Sequence, residues 1–277
     1  MACKTLRRNR LLRLPAFAIA CPQPIPPNES IHQAATVCNI VGGAISPLLA
    51  NVFLHYVFDL WVQWWRENHA RGDVVIIRYA DDFVMGFEHR EEAAACLEML
   101  RARFAKFGLK LHKEKTRLIE FGRYAAQQRK RRGDRRPETF DFLGFTHMCD
   151  KTRTPGWFTI RRYSIAKRRR VTLVAIKREL RKRMHRPLGE TARWLASVVR
   201  GWLNYHAVPG NKRRLKQFTD EVHKLWFHAL RRRSEKGKQR WTWKRMNRLV
   251  RKHLPTPRIL HPYPEKRFHA RLKARAV

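Results

Sequence analysis

A chain of 277 residues is long enough for one large or two modest domains, and 44 % hydrophobic content with 15 Phe and 9 Trp excludes wholesale disorder. With 61 Lys and Arg against 22 Asp and Glu, the formal net charge of +39 implies a polyanionic partner. Five dispersed cysteines, Cys3, Cys21, Cys38, Cys96 and Cys149, form no metal-binding spacing and no disulfide framework, which fits a reducing compartment.

Residues 1–41 read as a disordered leader. Lys4, Arg7, Arg8 and Arg10 precede an apolar stretch, 11–21, that Arg13 and Pro15 break, and Pro22, Pro24, Pro26 and Pro27 follow. That stretch is too short and too charged for a secretory signal or a membrane span, so neither secretion nor a membrane partner is expected. From Ser46, read as a cap with Pro47 as first helical residue, Leu48, Leu49, Val52, Phe53, Tyr56, Val57, Leu60, Trp61 and Trp64 recur at the spacing of a buried helix. The β-branched run 74–79, then Ala80-Asp81-Asp82, then 83–87 predict two strands joined by a tight acidic turn.

A second helix is predicted over 90–107, with Leu97, Leu100, Phe104 and Phe107 on one face and Gly108 at its end. Short strands are predicted at 109–111, 117–121 and 140–145, around a solvated basic loop at 123–137. Beyond residue 160 strand signals stop. Helices are expected over 168–184, 190–206, 212–231 and 241–253, followed from Leu254 by an extended strap bearing Pro255, Pro257, Pro262 and Pro264. The class is α+β in the first part and all-α in the second, where 36 basic residues meet 6 acidic ones, against 25 and 16 up to residue 160.

Adjacent carboxylates on a turn between apolar strands are held close, and their repulsion is relieved by a hard cation such as Mg²⁺. Asp is also a good turn former, and a lone Asp-Asp pair means no more than that. Here the pair has company. It stands as Tyr79-Ala80-Asp81-Asp82, after Gly42-Gly43-Ala44-Ile45-Ser46-Pro47-Leu48-Leu49-Ala50-Asn51 and before Gly108-Leu109-Lys110-Leu111, Lys115-Thr116 and Phe140-Asp141-Phe142-Leu143-Gly144-Phe145. Further on come Arg200-Gly201-Trp202-Leu203-Asn204-Tyr205 and Pro255-Thr256-Pro257-Arg258-Ile259.

In this order the motifs closely resemble the reverse transcriptases encoded by group II introns, from about residue 42 to the end. The resemblance implies a partial polymerase palm of antiparallel strands and helices at 42–160 and a basic thumb and maturase (X) domain at 161–277. It implies RNA-directed DNA polymerisation by two Mg²⁺ ions, with Asp81 and Asp82 as catalytic metal ligands. Tyr79, Ala80, Gly42, Gly43 and Lys115 would lie near nucleotide, template and primer, and Phe142, Leu143 and Gly144 in the strand that grips the primer. Plainer readings stay open: a turn at Gly42-Gly43, a surface cation at Lys115, a core strand at Phe142.

The implied partners are intron RNA, a DNA target or primer and deoxynucleoside triphosphates, in a bacterial cytoplasm or an organellar matrix. The oligomeric state is not fixed. The family takes a further carboxylate from a strand upstream of Gly42; up to Phe58 this sequence offers only Glu29, in a Pro-rich segment. The expectation is therefore a truncated copy, its acidic hairpin an open edge, with doubtful polymerase activity; the alternative is a non-catalytic RNA-binding fragment or a decayed gene product. RNA contacts are expected from Lys167, Arg168, Arg169, Arg170, Arg181, Lys182, Arg183, Lys212, Arg213 and Arg214, interleaved with Trp194, Trp202, Trp226, Trp241 and Trp243. Trp202 and Trp226 fall on apolar helix faces and read as core.

Overall fold

The computed structural model describes residues 15–21, 45–112, 114–152 and 156–263. It divides into two compact units, one reaching Leu143 and including His147–Ile160, the other comprising Gly144–Thr146 and the chain from Arg161.

The first unit is built on a four-stranded antiparallel sheet of order β2-β3-β1-β4, with β1 at Pro15–Cys21, β2 at Val74–Tyr79, β3 at Asp82–Phe87 and β4 at Arg117–Gly122. β1 pairs with β3 from Phe17 opposite Phe87 to Cys21 opposite Phe83, and with β4 from Pro15 opposite Gly122 to Ala20 opposite Arg117. This corrects two expectations. Residues 15–21 belong to the folded sheet and not to a disordered leader, and β3 is paired on both sides, the sheet's edges among the described residues being β2 and β4. The physical reason is pairing between distant segments: seven uncharged residues are enough for a strand, and β3 and β4 supply a hydrogen-bonding partner on each side. The remainder of the expected leader lies outside the described residues.

β3 alternates with period two, burying Phe83, Met85 and Phe87. Against this face pack Val57, Phe58, Val62 and Trp65 from a bent helix and Cys96, Leu100 and Phe104 from α3 (Arg90–Lys106). The bent helix is α1 (Ser46–Leu54), a π turn (His55–Asp59) and α2 (Leu60–Asn68). It is not the buried helix expected. α1 buries no residue, and Leu48, Leu49, Val52, Phe53, Tyr56, Leu60 and Trp64 are exposed, Leu48 by 63 %. Apolar residues surround more of this helix than one sheet face can cover, and periodicity alone does not say which stripe meets it. Ser46 is the first helical residue, with Ile45 in the cap position. α3 carries Glu91 and Glu92 in its first turn and Arg103 and Lys106 in its last, as the helix dipole favours, and ends ahead of Gly108 at φ +71°.

No strand forms at 109–111, and the expected loop 123–137 holds α4 (Ala125–Arg131). The single strand expected at 140–145 divides into β5 (Phe140–Phe142) and β6 (Phe145–Lys151), which with β7 (Phe158–Ser164) make a second sheet of order β5-β6-β7. Ile119, Phe121 and Phe140 form a small core with Val84, Phe142 and Cys149 against it.

The second unit holds α5 (Ala166–Lys182), α6 (Leu188–His206), α7 (Lys212–Arg231), α8 (Gly237–Arg240) and α9 (Trp243–His253). Their core includes Ile176, Leu195, Val199, Trp202, Leu215, Phe218, Val222, Trp226 and Met246, with Trp202 stacked on Phe218 at 3.8 Å. Leu254 is buried, and beyond it the backbone N–H groups of Leu260 and His261 donate to the Ala207 carbonyl at 3.0 and 3.1 Å, pinning an extended strap to the end of α6.

Candidate functional site

The β2–β3 turn has two central residues, Ala80 and Asp81, because Tyr79 pairs directly with Asp82. Ala80 takes φ +54°, the left-handed region that a two-residue hairpin requires and that costs a residue with a Cβ. Asp81 is exposed, Asp82 half-buried, and Tyr79 is 66 % exposed. Beneath the turn lies Arg78. Its Nε and Nη2 donate to Asp59 Oδ1 and Oδ2 at 2.7 and 2.6 Å, and its Nη1 donates to Asn51 Oδ1 at 2.9 Å and to the Ala80 carbonyl at 2.8 Å. Burial pushes the Asp59 carboxyl up, but hydrogen bonds and charge from Arg78, then from His55, outweigh it and hold Asp59 below the usual carboxylate range.

Asp81 and Asp82 are adjacent carboxylates at the turn, oxygen donors of the kind a hard cation takes. They do not by themselves make a two-ion set. Among the described residues no three His, Cys, Asp or Glu side chains cluster as a metal site, and β1, the strand beside β3, contains no acidic residue. Lys115, half-buried in the turn before β4, stands at the same end of the sheet as Asp82 but two strands away, about 10 Å at the usual strand spacing. Leu143 (φ +46°) and Gly144 (φ +78°) form the β5–β6 turn. Gly144 suits its positive φ, and a Cβ there would come within 3.3 Å of the Tyr205 ring and 3.4 Å of an Arg168 nitrogen, a tight fit that the ring would have to ease by a few tenths of an ångström. Phe142 packs on the core that also holds Val84, two residues after Asp82. Gly42 and Gly43 lie outside the described residues.

In the second unit two of the basic clusters come together. Asn211, next to α7, donates from Nδ2 to Ser164 Oγ at 2.7 Å and accepts the Ser164 backbone N–H at 3.2 Å, which sets the N-termini of α5 and α7 side by side. The first turns of both helices contain no acidic residue. Arg169 and Arg214 turn inward and donate to the same acceptor, Gln217 Oε1, at 2.9 and 3.0 Å. Burial and the neighbouring Arg214 lower the Arg169 pKa, the mark of crowded cations. Lys167, Arg168, Arg170, Lys212 and Arg213 are exposed around them.

The third cluster divides differently. Arg181 and Lys182 are exposed, whereas Arg183 donates to Glu179 Oε1 at 2.8 Å and lies over the Trp194 ring at 4.9 Å. Trp202 and Trp226 are buried, as expected; Trp243 stacks on Phe227 at 4.0 Å and stays half-exposed.

Asn51, Asp59 and Arg78 were not identifiable as a group from the sequence. The available signals were an arginine inside a β-branched run and an aspartate inside an apolar helix, each without a partner in view.

Two family models match. Residues 9–147, half of the chain, match the reverse transcriptase (RNA-dependent DNA polymerase) family, and residues 173–255 match the group II intron maturase-specific domain. The first match begins well before residue 42, in keeping with β1 as part of the sheet. No curated protein matches the sequence. With both matches in this order, the chain belongs to the group II intron reverse transcriptase/maturase family.

Proposed function

We propose that this chain binds the structured RNA of a group II intron through the paired N-termini of α5 and α7, and that this grip is its working activity in the assistance of splicing. The observation that supports the reading is a costly arrangement of charge. Cations in a helix first turn oppose the macrodipole, at roughly 0.3–1 kcal/mol each, and here two such turns stand together around Arg169 and Arg214. A phosphate backbone removes that cost, since helix N-termini and Lys or Arg side chains are both anion binders. The test is equilibrium binding of a folded intron RNA across KCl concentrations: a steep linear fall of log K with log salt is expected, and a flat response would count against the reading.

RNA-directed DNA synthesis is the second reading, favoured by the Tyr79-Ala80-Asp81-Asp82 turn. A divalent cation held by Asp81 and Asp82 would supply Lewis-acid stabilisation of a phosphoryl group. The chain's own part is to present both carboxylates on a backbone fixed by β2 and β3, with exposed Tyr79 beside them for a primer end or a deoxynucleoside triphosphate. Because β1 brings no carboxylate alongside Asp82, the purified chain is expected to give no primer extension. Robust extension that Asp82→Ala abolishes would overturn this.

A further inference from the structure

We propose that Arg78 is the positioning residue of the acidic turn: a clamp that ties the Ala80 carbonyl to Asn51 and Asp59 on the bent helix and so fixes where Asp81 and Asp82 point. The proposal rests on reading those two carboxylates as the cation-binding pair. Three features carry it. Arg78 makes four hydrogen bonds, two to the Asp59 carboxylate, one to Asn51 and one to the turn itself. The planar guanidinium fork makes these contacts together, whereas a lysine ammonium would meet Asp59 alone. The carbonyl it holds belongs to Ala80, the strained residue of the turn at φ +54°, where a fixed backbone is most needed.

The third feature is the π turn. Residues of an α-helix advance about 100° each, so two residues eight apart in an unbroken helix stand about 80° apart on its surface. The wider turn at His55–Asp59 takes in one extra residue, which returns about 100° of that advance and leaves Asn51 and Asp59 within about 20° of each other. Both then face Arg78. Asn51 is fixed from its other end too, its Nδ2 donating to the Pro47 carbonyl at 2.9 Å, which leaves Oδ1 as acceptor. The distortion in the helix is thus the element that lets two of its side chains grip one guanidinium.

The test is hydrogen exchange at millisecond labelling times on the full chain, with Mn²⁺ alone as a spectroscopic probe of the turn. Arg78→Lys and Asn51→Ala should each speed exchange of the Ala80, Asp81 and Asp82 amides several-fold while leaving α3 unchanged, and should weaken Mn²⁺ binding by a similar factor. Asn51→Asp, which keeps an acceptor for Arg78 but loses the donor to the Pro47 carbonyl, should exchange more slowly at the turn than Asn51→Ala. Unchanged turn exchange in both variants, or acceleration spread equally through α3, overturns the clamp. Asp82→Asn separates the two claims: Mn²⁺ binding unaffected by it refutes the cation-binding reading, while the exchange result still decides the role of Arg78.

Discussion

Replacing Lys167, Arg170, Lys212 and Arg213 together by Gln removes four exposed cations from the α5 and α7 N-termini while leaving Arg169, Arg214 and their shared Gln217 in place. Each phosphate contact contributes roughly 0.7–0.9 to the slope of log K against log salt. Near 0.1 M salt that is about five- to eightfold in affinity per contact, so four contacts are worth about three orders of magnitude and about 3 in slope. The fold should not suffer. Removing Lys167, Lys212 and Arg213 from the first turns relieves the dipole by roughly 0.3–1 kcal/mol at each of these positions, so the melting temperature is expected to hold or rise slightly. Fluorescence anisotropy of a labelled intron RNA between 0.05 and 0.3 M KCl reads both quantities. Affinity within twofold of wild type at an unchanged slope would show that these residues do not meet phosphate.

Further predictions concern the two units separately. Burial lowers the pKa of His206 and of His223, the hydrogen bond to the Trp202 carbonyl only partly opposing it at His206 and the charge of Asp220 at His223. The unfolded chain therefore takes up these protons first as pH falls below about 6.5. Stability of the second unit should be full above that pH and decline below it, through the folded-state values; tryptophan-detected melting at pH 7.5 and 5.0 measures this, and His206→Gln with His223→Gln should flatten the difference. On α1, Leu48→Gln, Leu49→Gln and Val52→Gln change residues that bury little, so melting should shift by no more than a degree or two while solubility rises. A loss of more than about 5 °C would show that these side chains are packed.

Much of the architecture was legible because it rests on local pattern. The β-branched run before Asp81 and the 3.6-residue apolar spacing of Leu215, Phe218, Val222 and Trp226 each report directly on their own element. What failed depends on pairing between distant segments. Residues 15–21 look the same whether they form a signal-like stretch or a central strand; only the presence of β3 and β4 on either side decides. The helix from Ser46 has apolar residues on several faces, and only the sheet determines that Val57, Phe58, Val62 and Trp65 are the ones buried.

At the site, the two carboxylates were readable because they are adjacent in sequence and the turn chemistry is local. Arg78, Asp59 and Asn51 were not, since their meeting depends on a π turn that no residue pattern announces. The division of 140–145 at Leu143 was hidden for a related reason: a leucine at positive φ is not a residue that signals a turn.

Mapping lysine and arginine reactivity with and without bound intron RNA reads, residue by residue, whether RNA is gripped at the paired helix N-termini. Protection is expected at Lys167, Arg168, Arg170, Lys212 and Arg213. Protection confined to other residues, with these five as reactive as in the free protein, would contradict it.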